Sequence, residues 1–126
     1  MTERTPRLGL LDYLMLPAAD VPALVAFYCE VLGATVIEEA YPFWARIRLA
    51  NIDVGLHQAA GGGGTGAKPG FRVQDVAALR AHLEAHGVTV DGGYHAIPGG
   101  VRLTFADAAG NHLDALQYGI DVASLS

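Results

Sequence analysis

Cysteine is almost missing from this chain. Cys29 is the only one in 126 residues, so no intrachain disulfide can form, and the chain suits a reducing, cytoplasmic setting. It lies within a helical pattern without a cationic neighbour, which reads as a structural thiol rather than a nucleophile. Basic residues are also few. Eight Lys and Arg stand against thirteen Asp and Glu, for a net charge of −5, and no Lys/Arg cluster offers the basic face that nucleic acid requires. Long apolar runs are absent too: Asp20, Glu30 and scattered Pro and Gly interrupt every candidate for a membrane span. The opening "MTERTPRLG" lacks the basic-then-apolar order of a signal peptide. No Ser-His-Asp or Cys-His arrangement is visible, and the glycines at 61–64 lack the strand, lysine and hydroxyl of a phosphate loop. What remains is 52% apolar and 17% charged, the composition of one globular domain spanning 1–126.

Within that domain the sequence repeats itself. "DVPALVAFYCEVLGATV" (Asp20 to Val36) and "DVAALRAHLEAHGVTV" (Asp75 to Val90) both open on Asp-Val, continue as an amphipathic segment and end in Gly before β-branched residues. Val21, Leu24, Val25, Tyr28 and Leu32 recur at helical spacing, as do Val76, Leu79 and Leu83. Asp20 and Asp75 stand where N-caps belong, and Gly33 and Gly87 where helices stop. Strand-like runs flank both helices: "GLLDYLML", "ATVIEEA", "FWARIRLA" and "NIDVGLHQ" around the first, then "GFRV", "GVTV", "GVRLTFA" and "HLDALQY" around the second. The plan is therefore β-α-β-β-β, twice: a first unit at 8–58, a Gly-rich linker at 59–67 and a second unit at 68–118. The "GGY" and "PGG" between Asp91 and Gly100 read as turns, and Asp107 is placed to fold its carboxylate over the turn before the last strand.

Three stretches in order, "LDYLMLPAADVPALVAFYCEVLG", "FRVQDVAALRAHLEAHGV" and "FADAAGNHLDAL", resemble the vicinal oxygen chelate superfamily of glyoxalases, bleomycin-resistance proteins, fosfomycin-resistance enzymes and extradiol dioxygenases. The resemblance implies an α+β fold of two tandem βαβββ units forming a curled mixed sheet, with helices on its outer face and a cup for a small molecule. It also implies a homodimer. Ala108 stands where the family's signature usually has Pro, and Asp114 where the metal-dependent members have Glu. Of their other ligand positions, the His of the first strand corresponds to Tyr13 and that opening the second unit to Lys68, whose ammonium has no lone pair to give. The position in "NIDVGLHQ" corresponds to Gly55 or His57, which share one face. No metal or other cofactor is therefore expected. A divalent metal held by His57 and Asp114 is the alternative, as in a lyase, isomerase or dioxygenase of this superfamily. His82, His86, His95 and His112 lie at helix, loop or strand-start positions and do not complete such a set.

Strand alternation then suggests what lines the cup. If Ala45, Ile47 and Leu49 pack on the helices, Trp44, Arg46 and Arg48 face the other way. The same parity puts Tyr13 and Met15 in the cup, and Leu116 and Tyr118 beside Asp114. Tyr13, Trp44, Arg46, His57, Asp114 and Tyr118 are the expected ligand-binding residues: rings to stack on, and an arginine to fork onto an anionic group. The bland alternative pairs Arg46 and Arg48 with Glu38, Glu39 or Asp53 at a solvated rim. Tyr13, Lys68 and Asp114 are the candidate acid–base set if they converge. The expected function is binding of a small hydrophobic, partly anionic metabolite or antibiotic. Whether it is catalytic is left open, and a dimeric scaffold without ligand is a further alternative.

Overall fold

The computed structural model describes residues 6, 7, 9–60 and 68–125. The β-α-β-β-β order appears twice, as the repeat predicts. The first unit comprises β1 (Leu14–Ala18), α1 (Val21–Glu30), β2 (Thr35–Ala40), β3 (Trp44–Leu49) and β4 (Ile52–Gln58). The second comprises β5 (Gly70–Arg72), α2 (Val76–Ala85), β6 (Val90–Ile97), β7 (Gly100–Ala106) and β8 (His112–Tyr118), followed by a short 3₁₀ turn at Val122–Leu125. Most of the expected linker, 61–67, lies outside the described residues.

Both helices begin as their sequences foretell. The Asp20 carboxylate accepts from the Ala23 N–H at 3.1 Å and the Asp75 carboxylate from the Ala78 N–H at 3.0 Å, caps worth about 1 kcal/mol each. Gln117, reaching from β8, accepts the Val76 N–H at 2.8 Å and ties the start of α2 to its sheet. Gly33 and Gly87 follow the helices at φ 72° and 71°, a conformation in which a Cβ is strained.

Each unit folds into a four-stranded mixed sheet, ordered β1-β4-β3-β2 in the first and β5-β8-β7-β6 in the second. The outer pairs β1–β4 and β5–β8 run parallel and the rest antiparallel. Two expectations shift. The first strand begins at Leu14 rather than near Gly9. Gly92 to Tyr94, expected as a turn, lies inside β6, where the pairing register slips between Asp91 and His95 and Gly92 takes φ 72°. Those glycines build a bulge, while the other expected turn, "PGG", holds the reversal at Pro98 and Gly99.

One apolar core joins the units. Ala45, Ile47, Leu49, Val54 and Leu56 from the first sheet and Val101, Leu103, Phe105, Leu113 and Ala115 from the second belong to a single cluster with both helices. Each fully buried Leu or Ile contributes roughly 1.5–3 kcal/mol. The units are also locked by polar contacts. Asp107, buried in the β7–β8 turn, accepts from the Ala109 and Asn111 N–H groups and from the Asn111 side-chain amide, each at 2.9 Å. Its second oxygen also takes the Tyr28 hydroxyl of α1 at 2.8 Å. Asn111 donates onward to the Pro17 carbonyl of β1 at 3.1 Å, and His82 of α2 donates from Nε2 to the Val31 carbonyl at 2.8 Å. Burial, the Asp107 charge and the hydrogen bond all push the Tyr28 hydroxyl up, so it stays a donor. No helix among the described residues is long and apolar enough to cross a membrane.

Candidate functional site

With Ala45, Ile47 and Leu49 buried on the helix side, the alternate residues of β3 lie on the open face, as parity requires. Their neighbours follow from the register: Trp44 opposite His57, Arg46 opposite Gly55, and Met15 of β1 on the far side of Gly55. Trp44, Arg46 and His57, expected from sequence as ligand contacts, thus share one surface, and Tyr13 joins them edge-on to the indole at 5.7 Å. The indole lies over Gly55. A Cβ built there would overlap the ring, so Gly55 is small because Trp44 occupies the space above it. Trp44 is held by a hydrogen bond from Nε1 to the Glu38 carboxylate at 2.9 Å.

Arg46 is already engaged. Its Nε donates to Asp53 at 2.7 Å and its terminal nitrogens to Asp12 at 3.0 and 3.2 Å, with the Asp12 carbonyl at 2.9 Å. Its guanidinium also stands 5.5 Å from the Tyr13 ring centroid. Arg48 donates to the other oxygen of Asp53. The hydrogen bonds from Arg48 and then Arg46 hold the Asp53 carboxyl down at about 2, and Arg46 lowers Asp12 in the same way. Asp53 was among the rim partners weighed for these arginines; Asp12 was not foreseen.

Asp114 and Tyr118 lie on the open face of the other sheet, with Thr104 opposite Asp114 and Arg72 and Arg102 on either side of Leu116. The Thr104 hydroxyl donates to Asp114 Oδ1 at 2.6 Å. Lys68 is exposed just before β5, and among the described residues no ion pair links it to Asp114. The Arg72 guanidinium stands 5.2 Å from the Tyr118 ring. Arg102 has a buried Nε with no hydrogen-bond partner among the described residues. Alternation along "GVRLTFA" carried the signal for Arg102 and Thr104, because a face holding Asp114 must also hold their register partners. Among the described residues no ion pair or side-chain hydrogen bond links Tyr13, Lys68 and Asp114 to one another.

A cavity of about 390 Å³ opens between the units, lined by Leu32, Leu49, Phe71, Leu79, Phe105 and Leu113 and reached by Arg72 and Asp114. A shallower one of about 520 Å³ lies beside Asp12, Arg46, Arg48 and Asp53. Among the described residues no three His, Cys, Asp or Glu side chains group to hold a metal. His57 and Asp114, the alternative ligand pair, stand on separate sheets.

Residues 10–114 match the model of the Glyoxalase/Bleomycin resistance protein/Dioxygenase superfamily, and the chain belongs to that family. Among curated protein sequences none matches. Solved structures share the fold. A lactoylglutathione lyase from Agrobacterium tumefaciens aligns with TM-score 0.72 and 20% identity over 89% of this chain and 96% of its own. An antibiotic-binding protein from a Streptomyces species gives 0.69 and 22%, over 91% and 100%. The fosfomycin resistance protein FosX from Listeria monocytogenes gives 0.76 and 16%, over 87% and 91%. At these identities the likeness is one of fold.

Proposed function

We propose that this protein binds a small hydrophobic, partly anionic metabolite or antibiotic on its open sheet faces, without the divalent metal of its metal-dependent relatives. The observation that carries this reading is the aromatic platform of the first sheet: the Trp44 indole laid over Gly55 with Tyr13 edge-on. An indole face flanked by an edge-on phenol and a guanidinium is suited to stacking an aromatic ligand. Where the superfamily's metal-dependent members carry imidazoles, Tyr13 and Lys68 supply no comparable donors. That one relative in fold is an antibiotic-binding protein agrees with this reading.

A homodimer is part of the proposal. Tyr13, Met15, Ile37, Phe43 and Tyr118 are between 37% and 65% exposed, more large apolar side chains than two open faces leave to water without a partner or ligand. The single, partly buried cysteine fits a cytoplasmic location.

Titration of Trp44 fluorescence with a library of aromatic natural products tests the binding reading. Saturable quenching supports it, and no quenching or thermal shift across the library would sink it in favour of a scaffold. Metal content of untagged protein, purified without chelator, tests the rest. Stoichiometric zinc, nickel, manganese or iron that disappears in Asp114→Ala would instead establish a metal-dependent enzyme.

A further inference from the structure

We propose that Arg102, assisted by Arg72, is the subsite that holds the oxyanion of the ligand: a carboxylate, sulfonate or phosphate-type group on a small organic molecule. The inference rests on the binding reading above and assigns its anionic contact to the second sheet.

The first sheet is a poor host for an added anion. Arg46 and Arg48 already donate to Asp12 and Asp53, and an incoming oxyanion would have to displace carboxylates fixed on the same chain. The second sheet differs. Arg102 alternates with the buried Val101 and Leu103 and so lies on the open face, opposite Leu116 and beside His95. Arg72 takes the matching place on the other side of Leu116, two strand spacings away, or about 10 Å. Among the described residues no carboxylate pairs with either guanidinium. The one carboxylate on the row between them, Asp114, accepts from Thr104 instead.

Exposed arginines without partners are ordinary, since water serves them. Arg102 is not of that kind. Its Nε is shielded from water and has no acceptor, a condition rare in folded proteins because a buried donor left unpaired is expensive. A rotamer change that turns the Nε edge outward would bring it and a terminal nitrogen, one edge of the guanidinium fork, onto the two oxygens of an oxyanion. The surroundings suit the remainder of such a ligand. Leu116 offers an apolar floor, Tyr118 a ring already beside Arg72, and Gly70 leaves the β5 edge without a side chain next to Leu116.

The test follows the Arg102 Nε–Hε resonance in isotope-labelled protein, identified by its loss in Arg102→Gln. The probes are inorganic phosphate, anilinonaphthalene sulfonate and the uncharged phenylnaphthylamine. Phosphate and the sulfonate should each shift this resonance saturably. The sulfonate should bind Arg102→Gln about tenfold or more weakly than the parent protein, as expected for loss of a charge-assisted pair. The uncharged dye should change by less than about twofold, and Arg102→Lys should fall between. A resonance that no anion moves overturns the subsite, whatever happens at Trp44. So does equal weakening of both dyes, or an Arg102→Gln variant that alters the molecular mass in solution while keeping its preference for the sulfonate, which would assign the guanidinium to a subunit contact. Phosphate that moves Arg102 while no aromatic probe quenches Trp44 keeps the subsite and overturns the aromatic-ligand reading instead.

Discussion

The two units repeat one chain path and use it differently. On the first sheet the open-face arginines meet carboxylates: Arg46 and Arg48 share Asp53, and Asp12 closes the fork of Arg46, while Glu38 holds the indole of Trp44. On the second, the Asp114 carboxylate accepts from the Thr104 hydroxyl, and among the described residues no carboxylate pairs with Arg72 or Arg102. The turns differ as well. β3 passes to β4 through Ala50 and Asn51 alone, with Ala50 at φ 52°, whereas the β7–β8 turn is longer and holds Asp107 and Asn111 at the junction of both units. The repeat thus carries one preorganised wall and one wall with interaction capacity to spare, with the carboxylate and amide of the joint supplied by the second copy.

The largest effect is expected where the copies differ most. Asp107→Ala removes the acceptor of four hydrogen bonds and strands the buried Tyr28 hydroxyl; urea denaturation should record a loss of about 3–4 kcal/mol. Asn51→Ala, in the corresponding turn of the first unit, should stay within about 0.5 kcal/mol, and equal losses would erase the contrast. Next in size is Gly55→Ala, which forces the indole off its seat. We expect a loss of about 2 kcal/mol from overpacking and red-shifted Trp44 emission, while Gly70→Ala, facing only the flexible end of Leu116 at 3.3 Å, should cost less than about 1 kcal/mol. Tyr28→Phe, which leaves Asp107 its other donors, should lose about 1–1.5 kcal/mol.

The smallest effect concerns acid. Because the folded Asp53 carboxyl titrates at about 2, below its ordinary value near 4, its contribution is full above about 4 and lost as the pH falls through 2. Thermal melting at low salt should show the parent protein losing more stability between pH 4 and 2 than Asp53→Asn. Identical acid limbs would mean that the paired face adds nothing to the fold.

Much of the architecture was legible because repetition and alternation are linear signals. The helices, their aspartate caps and the inward set of β3 appear where the spacing puts them. The bulge in β6 was not, since Gly-Gly-Tyr has the composition of a turn and only pairing with β7 makes it a strand. For the candidate site, parity sorted residues correctly by face but could not say which charges meet. Asp12 lies outside any strand, so nothing in its position announced Arg46 as its partner. "FADAAGN" carried the resemblance to the family, and its Asp107 and Asn111 clamp the turn and tie it to α1 and β1. Asp114, in the middle of a strand pattern, drew attention as a metal position, and its hydroxyl partner Thr104 was readable only once the register of β7 and β8 was known.

The bond from Tyr28 to Asp107 spans 79 residues of sequence, and that from Asn111 to Pro17 spans 94. Contacts so distant along the chain require most of the loop entropy to be surrendered before they form. The junction should therefore close late, after each βαβββ hairpin set has begun to assemble, and folding should be slow for a chain of this length. Variants of Asp107 would then speed unfolding far more than they slow folding, making this turn a kinetic latch on the finished molecule.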